Sequence, residues 1–359
     1  MQRGAGVLED GNVQKALQAD LQDAQTAIHD EHDGCQQEGK RMAALKGQHC
    51  DKEAHRAAAG IAISGIQPLL IEELLKQNYQ IGIYPSATIV NPPFAKILFS
   101  KVPDLRTHTE GKTVYDRDCR ITADYLQALD TLGSGTKPFF SFLFYDLAHG
   151  YEVPKDKLYR FQPSWEFADY MKLNNDIDPT PFLNLYYNCV AEADSLVGCV
   201  LHNLRKELLD NTLVIITGDH GQEFNENHKN YWGHGSNYSP VQTHIPFLLY
   251  EPGEQPHTYH HRTTHYDFAP TLMNKVLGVT NPPSDYSMGH LITDTCPRNW
   301  HIVGDNLNYA FIVENHTILE KHPSGYIEIS DSALNPLENY KIDNRKLNEA
   351  ILSLNRFYK

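Results

Sequence analysis

No two cysteines in this chain stand at CxxC spacing; its six, Cys35, Cys50, Cys119, Cys189, Cys199 and Cys296, are scattered over 359 residues. That excludes a zinc knuckle and a dense disulfide framework, and it leaves the redox compartment open. No apolar run approaches the roughly 18 residues needed to cross a bilayer. The longest, such as PFFSFLFY at 138–145, are strand-sized. The first residues do not read as a secretory leader, since Glu9 and Asp10 stand where its apolar segment would have to be. Basic clusters with interleaved aromatics are absent, and a formal charge of −14 repels a phosphate backbone, which excludes nucleic acid as a partner. Taken literally the chain reads as soluble, with membrane association left to segments it does not contain.

What is present is the composition of a folded globular protein, 41% hydrophobic and 21% charged, in a chain long enough to bury a substantial core. Residues 1–60 are rich in Ala, Gln, Asp, Glu and Lys and nearly free of aromatics. One helical stripe, Val13, Leu17, Leu21 and Ile28, runs through them, which predicts a helical or disordered extension. From about residue 66 helical and strand patterns alternate. PLLIEELLKQN (68–78), DCRITADYLQALDTL (118–132) and the long FLNLYYNCVAEADSLVGCVLHNLRKELL (182–209) read as helices. YQIGIYPS (79–86), KPFFSFLFYDLAHG (137–150), NTLVIITGDHG (211–221) and THIPFLLYEP (243–252) read as strands. The alternation predicts an α/β domain over 61–295, with a mostly parallel sheet and helices on both faces. Residues 296–359 predict a small antiparallel subdomain and a polar terminal helix.

The chemistry concentrates in TLVIITGDHGQEFNENHKNYWGHGSNYSP, residues 212–240. Asp219 and His220 follow an apolar strand that would hold their backbone rigid, and ligands of such sheets collect at strand ends. His234 lies between Gly233 and Gly235, which permit the unusual φ values of a loop folding back over that end. The intervening QEFNENHKNYW reads as a surface loop because of its polarity. His149, in FYDLAHGYEVP, ends another predicted strand, so two neighbouring parallel strands would bring three imidazoles and a carboxylate to one rim. That set suits a divalent cation. DHG alone equally suits a turn satisfied by local backbone groups. Tyr231, Trp232 and Glu223 either line the pocket or shape the loop.

The order NTLVIITGDHGQEFNE, YWGHGSNYS, THIPFLLYEP, THYDFAPTLM, PPSDYSMG resembles the sulfatase branch of the alkaline phosphatase superfamily over about residues 62–320. Within it the chain is most similar to the inner-membrane sulfatase-like proteins of Gram-negative bacteria. The resemblance implies that Asp219 and His220 ligate a metal and that His234 binds metal or the substrate's oxyanion. It also implies that His149 contacts substrate. Asp267 and Pro270, in HYDFAPTLM, would be structural; Asp194 would pack the long helix or lie on its surface. An imidazole at His220 favours zinc or manganese over calcium, and relatives with this pair include phosphoethanolamine and glycerol-phosphate transferases.

The resemblance also shows what is missing. Members of the superfamily begin with a strand ending in an acidic ligand, then present a Ser, Thr or Cys nucleophile at a helix N-terminus. Before residue 80 only Thr26 and Ser64 offer an aliphatic hydroxyl, Cys-x-Pro-x-Arg is absent, and CPR at 296–298 has the wrong spacing. The expectation is therefore a truncated sulfatase-like domain that keeps two or three metal ligands and lacks a middle strand. It would act on sulfate or phosphate esters with impaired turnover. The alternative is a non-catalytic regulatory protein sensing an anionic lipid headgroup, since these relatives are implicated in controlling lipopolysaccharide levels. By resemblance the domain faces the periplasm at the inner membrane.

Overall fold

Leu70, Ile71 and Leu74 recur at the spacing of one helical face, and the computed structural model buries all three on helix α1 (Leu69–Lys76). The structure describes residues 68–91, 93–304, 308–322 and 326–355. The expected extension over 1–60, and both Thr26 and Ser64, lie outside them. On the polar side of α1, Lys76 bonds Glu73 at 2.7 Å. Strand β1 (Gln80–Pro85) follows directly.

Helix α2 (Val114–Ser134) starts at a capping box: Asp116 N donates to Thr113 Oγ1 at 3.0 Å while the Asp116 carboxylate accepts from Thr113 N. It crosses back to strand β2 (Phe139–Phe144), which pairs with β1 in parallel from Gln80↔Phe139 to Pro85↔Phe144. This is the expected β-α-β crossover. Tyr125 of α2 meets Tyr84 of β1 edge-on at 5.3 Å, and Ile121 is completely buried. Each side chain of that size taken out of water stabilises the layer by about 1.5–3 kcal/mol.

Strand β2 stops earlier than expected. Residues Leu147–Gly150 form a single helical turn, α3, so His149 sits on that turn rather than at a strand end. The cause is Asp118 of α2, which is fully buried and accepts the N–H of Asp146 at 3.1 Å and of Leu147 at 2.9 Å. A strand could not turn both donors toward one carboxylate. The long helix α4 (Thr180–Asn203) ends at Leu204, short of the expected 209, and a separate turn covers Lys206–Leu209.

Strand β3 (Val214–Thr217) carries Asp219 and His220 beyond its end. A two-residue ladder joins β4 (Glu223–Phe224) to β5 (Trp232–Gly233) in the following loop, and a short turn, α5 (Pro240–Thr243), leads to β6 (Phe247–Tyr250). The expected α/β architecture is present, with one local departure from a mostly parallel sheet: β6 pairs with β3 antiparallel, from Val214↔Tyr250 to Thr217↔Phe247. No long crossover helix separates them, so the chain reverses through the loop. Nor is β3 the neighbour of β2. Among the described residues β1–β2 and β3–β6 form separate two-stranded ladders.

Helix α6 (Phe268–Lys275) packs Leu272 and Met273 against α1 and β1. Asp267 at its start is 2% exposed, bonded to Arg298 at 2.5 Å and to the N–H of Thr264 and His290, and Pro270 is buried. Both are structural, as expected. The small antiparallel sheet is present as β7 (His301–Gly304), β8 (Tyr309–Ile312), β9 (Ile318–Lys321) and β10 (Ile327–Ser330), in the order β10-β9-β8-β7. Ala310, Ile312 and Ile318 pack with Tyr238 of the loop after β5; Phe311 and Leu319 pack with Ala350 of the terminal helix α7 (Asn344–Asn355). No helix among the described residues is long and apolar enough to cross a membrane.

Candidate metal and anion site

Three chain segments deliver imidazoles to one place. The rings of His220 and His234 stack with centroids 4.0 Å apart and planes 28° apart, and the His149 ring lies 5.1 Å from that of His234. Asp219 Oδ2 is 3.6 Å from His220 Nε2. The four residues singled out in the sequence are therefore brought together, although through a helical turn and an antiparallel pair rather than two neighbouring parallel strands.

Local backbone chemistry fixes each part. Gly221 comes so close to the next segment that an added Cβ would lie 2.0 Å from the Val241 carbonyl oxygen. That approach lets Gly221 N–H reach Gln242 O at 2.9 Å. Gly233 and Gly235 adopt φ values of +83° and +72°, the left-handed region that the flanking glycines of GHG were expected to supply. His234 Nδ1 is held at 3.0 Å by Gln222 Oε1, and His265 Nε2 lies 2.9 Å from the Gly218 carbonyl oxygen just before Asp219.

Burial lowers the pKa of His234 to about 4, helped by the neighbouring imidazoles of His220 and His149, so its ring is neutral at physiological pH. Burial raises that of Asp146, against the pull of His149 and of Arg117, whose Nη2 is 3.2 Å from Asp146 Oδ2; the nearby Asp219 carboxylate adds to the rise. Asp146 is a member of this rim that the sequence reading missed. It follows strand β2 much as Asp219 follows β3, but the end of β2 is set by Asp118, 28 residues before it. Asp194 is half-buried on α4 with Arg160 as its charged neighbour.

The polar segment after DHG departs from expectation. Gln222, Glu223, Phe224 and Asn225 are buried, because side-chain amides rather than water satisfy Glu223. Glu223 thus shapes the loop from beneath. Trp232 does the same, packing 6.2 Å from Phe182 while its Nε1 donates to Asn230 Oδ1 at 3.0 Å.

The donor set suits a borderline divalent cation, with imidazole nitrogens and carboxylate oxygens beside each other. Two ligands of a tetrahedral zinc with bonds near 2.0–2.1 Å stand about 3.3 Å apart, close to the Asp219–His220 separation of 3.6 Å. The third donor is not yet aimed: stacked rings place their nitrogens side by side, and no three His, Cys, Asp or Glu side chains among the described residues converge on one point.

Comparison with known proteins agrees with this architecture. Residues 68–279, more than half of the chain, match the family model described as Sulfatase. An uncharacterized protein of Haemophilus influenzae is 25% identical over 252 residues, covering 69% of this chain and 35% of that protein. The inner membrane protein YejM of Salmonella typhimurium is 23% identical over 273 residues, 74% of this chain and 40% of its own length. The chain thus spans well under half of these relatives. Among solved structures, a sulfatase-class protein from Bacteroides thetaiotaomicron superposes with a TM-score of 0.52 at 13% identity, covering 80% of this chain and 73% of that one. A 2-O GAG sulfatase gives 0.50 at 14% identity, covering 81% and 73%. These likenesses show the fold, and the family match shows the membership: the chain belongs to the sulfatase family, within the alkaline phosphatase superfamily and related to the YejM proteins.

Proposed function

We propose that Asp219, His220 and His234 hold a divalent cation, zinc or manganese rather than calcium, and that the site acts on a sulfate or phosphate ester as a sulfatase-type hydrolase or transferase. The observation that carries this reading is the proximity of His149, His220 and His234, from three distant segments, with the Asp219 carboxylate beside His220. Two imidazoles with a carboxylate form a nitrogen-rich donor set that favours zinc or manganese, whereas calcium prefers oxygen.

The cation would supply Lewis-acid stabilisation of the charge that develops on the ester oxygens. This chain's residues do the rest. His149 flanks His234 and donates an N–H to an anionic ester oxygen. Gln222 fixes the His234 ring by its Nδ1, leaving Nε2 for the site. No hydroxyl or thiol among the described residues is assigned as attacking group. The substrate's shared chemistry is an anionic ester, on a sugar or on a lipid headgroup at the periplasmic face of the inner membrane. Residues 61–295 carry the site, and 296–359 brace its loop as the antiparallel subdomain.

The test is metal uptake by the metal-free chain followed by assay with aryl phosphate, aryl sulfate, a sulfated sugar and anionic lipid vesicles. Zinc or manganese retained near one equivalent, with binding or cleavage of one ester class, is the expected result. No retained metal removes the reading.

A further inference from the structure

Glu223, the first residue of β4, is 0% exposed, and among the described residues no Lys, Arg or His pairs with its carboxylate. Three side-chain amides solvate it instead. Asn237 Nδ2 and Gln242 Nε2 both donate to Oε2 at 2.6 Å, and Asn227 Nδ2 donates to Oε1 at 2.9 Å. Burying a carboxylate in this way costs several kcal/mol before its hydrogen bonds are counted, and an apolar residue would fill the same volume without that cost. Burial pushes the Glu223 pKa up while the amides of Asn237, Gln242 and Asn227 pull it down.

The arrangement has a consequence at the rim. Because Nε2 of Gln242 is committed to Glu223, its Oε1 must face the other way, where it accepts Gly235 N–H at 2.8 Å. The main-chain oxygen of the same residue accepts Gly221 N–H at 2.9 Å. Gly221 follows His220 and Gly235 follows His234. One residue therefore clamps the chain immediately after both imidazoles, and the carboxylate decides which way its amide points. The β4–β5 ladder, with only the pairs Glu223↔Gly233 and Phe224↔Trp232, is too short to fix that loop alone. Asn237 joins the same unit: its Oδ1 accepts Ser239 N–H at 2.8 Å, at the start of the turn that carries Gln242.

We infer that Glu223 is a positioning residue: its carboxylate orients Gln242, and Gln242 sets the spacing of His220 and His234 by clamping Gly221 and Gly235. The inference rests on the reading of those two histidines as the metal side of the site.

The test uses the full chain with Glu223→Met, which keeps the length and volume of the side chain but removes both acceptor oxygens from the amides of Asn237, Gln242 and Asn227. Hydrogen exchange at the Gly221 and Gly235 amides is expected to accelerate by about tenfold or more, while the amides of β1 and β2 keep their protection. Zinc affinity is expected to fall about 10- to 100-fold, the range for losing a partner behind a metal ligand. Glu223→Gln is the conservative control: its amide oxygen takes the place of Oε2, keeps the bonds from Asn237 and Gln242 and gives up only the one from Asn227. It is expected to hold both readouts near those of the unmodified chain. Unchanged glycine exchange in folded Glu223→Met overturns the inference, as does Glu223→Gln exchanging as fast as Glu223→Met. If Glu223→Met does not fold, the unmodified chain decides, since Gly221 and Gly235 exchanging as fast as exposed loop amides contradicts a clamp and slow exchange supports it. A chain that takes up no zinc, while Glu223→Met still frees both glycines and Glu223→Gln does not, overturns the metal reading and leaves the clamp.

Discussion

His220 and His234, fourteen residues apart in sequence, stack ring on ring at 4.0 Å, and this contact fixes the centre of the candidate site. The first residue follows β3 and the second is held from behind by Gln222, so neither can move without its loop. Replacing His220 with Ala removes a donor whose Nε2 already lies at ligand spacing from Asp219. The expected result is loss of most zinc occupancy after dialysis, read by elemental analysis, with far-UV circular dichroism unchanged. Unchanged occupancy removes His220 from the ligand set.

The glycines of the two motifs are required for different reasons, which stability measurements separate. A Cβ on Gly221 meets a backbone carbonyl oxygen at 2.0 Å, and neither side can yield without breaking the bond to Gln242. Gly221→Ala is expected to cost about 3 kcal/mol or more. A Cβ on Gly235 meets nothing within 4 Å, so only its φ of +72° is penalised. Gly235→Ala is expected to cost about 1 kcal/mol. Equal shifts in urea midpoint would contradict this ranking.

Asp118 shapes the turn that carries His149. Asp118→Ala leaves the N–H groups of Asp146 and Leu147 buried without an acceptor, at about 1–3 kcal/mol each before relaxation. A loss of about 2–4 kcal/mol in thermal unfolding is expected, together with a shifted His149 imidazole resonance. A variant that loses stability while the His149 resonance stays in place would show that the turn stands without Asp118.

Two buried groups give the acid limb of stability opposite slopes. Burial, with Arg262 and His316 nearby, lowers His301 to about 3 from an ordinary 6.5. Between those values the unfolded chain binds the proton more readily, so this contribution is complete above pH 6.5 and is lost as pH falls toward 3. Burial raises Asp118 to about 6 from 3.8. Its folded form binds the proton more readily in that window, so its contribution is present below pH 3.8 and is lost as pH rises through 6. His301→Gln is therefore expected to flatten the decline below pH 6.5, by up to about 1.4 kcal/mol per pH unit. Asp118→Asn is expected to steepen it between pH 6 and 3.8. Urea midpoints measured from pH 7 to 4 check both signs, and a steeper limb in His301→Gln would contradict the first.

Much of this site was legible because its signals are local. An apolar strand ending in Asp219 and His220, and a histidine between two glycines, each depend on a few adjacent residues. The β1–α2–β2 unit was legible because its apolar period changes from two to nearly four and back. Pairing was not: β3 and β6 carry the same apolar pattern whichever way they run, and only the path of the loop makes them antiparallel. Polarity also misled. Glu223 and Gln222 read as surface residues because their burial depends on Asn227, Asn237, Gln242 and His234, whose proximity no local pattern encodes. Asp146 was passed over because the early end of β2 depends on Asp118, 28 residues before it.

The most direct measurement is calorimetric titration of zinc into the metal-free chain, followed by X-ray absorption at the zinc edge of the loaded protein. The account predicts near one equivalent bound, with imidazole nitrogen and carboxylate oxygen at roughly 2.0–2.2 Å, and an imidazole lost from that shell in His220→Ala. Zinc that is not retained, or that is surrounded by water oxygens alone, would contradict it.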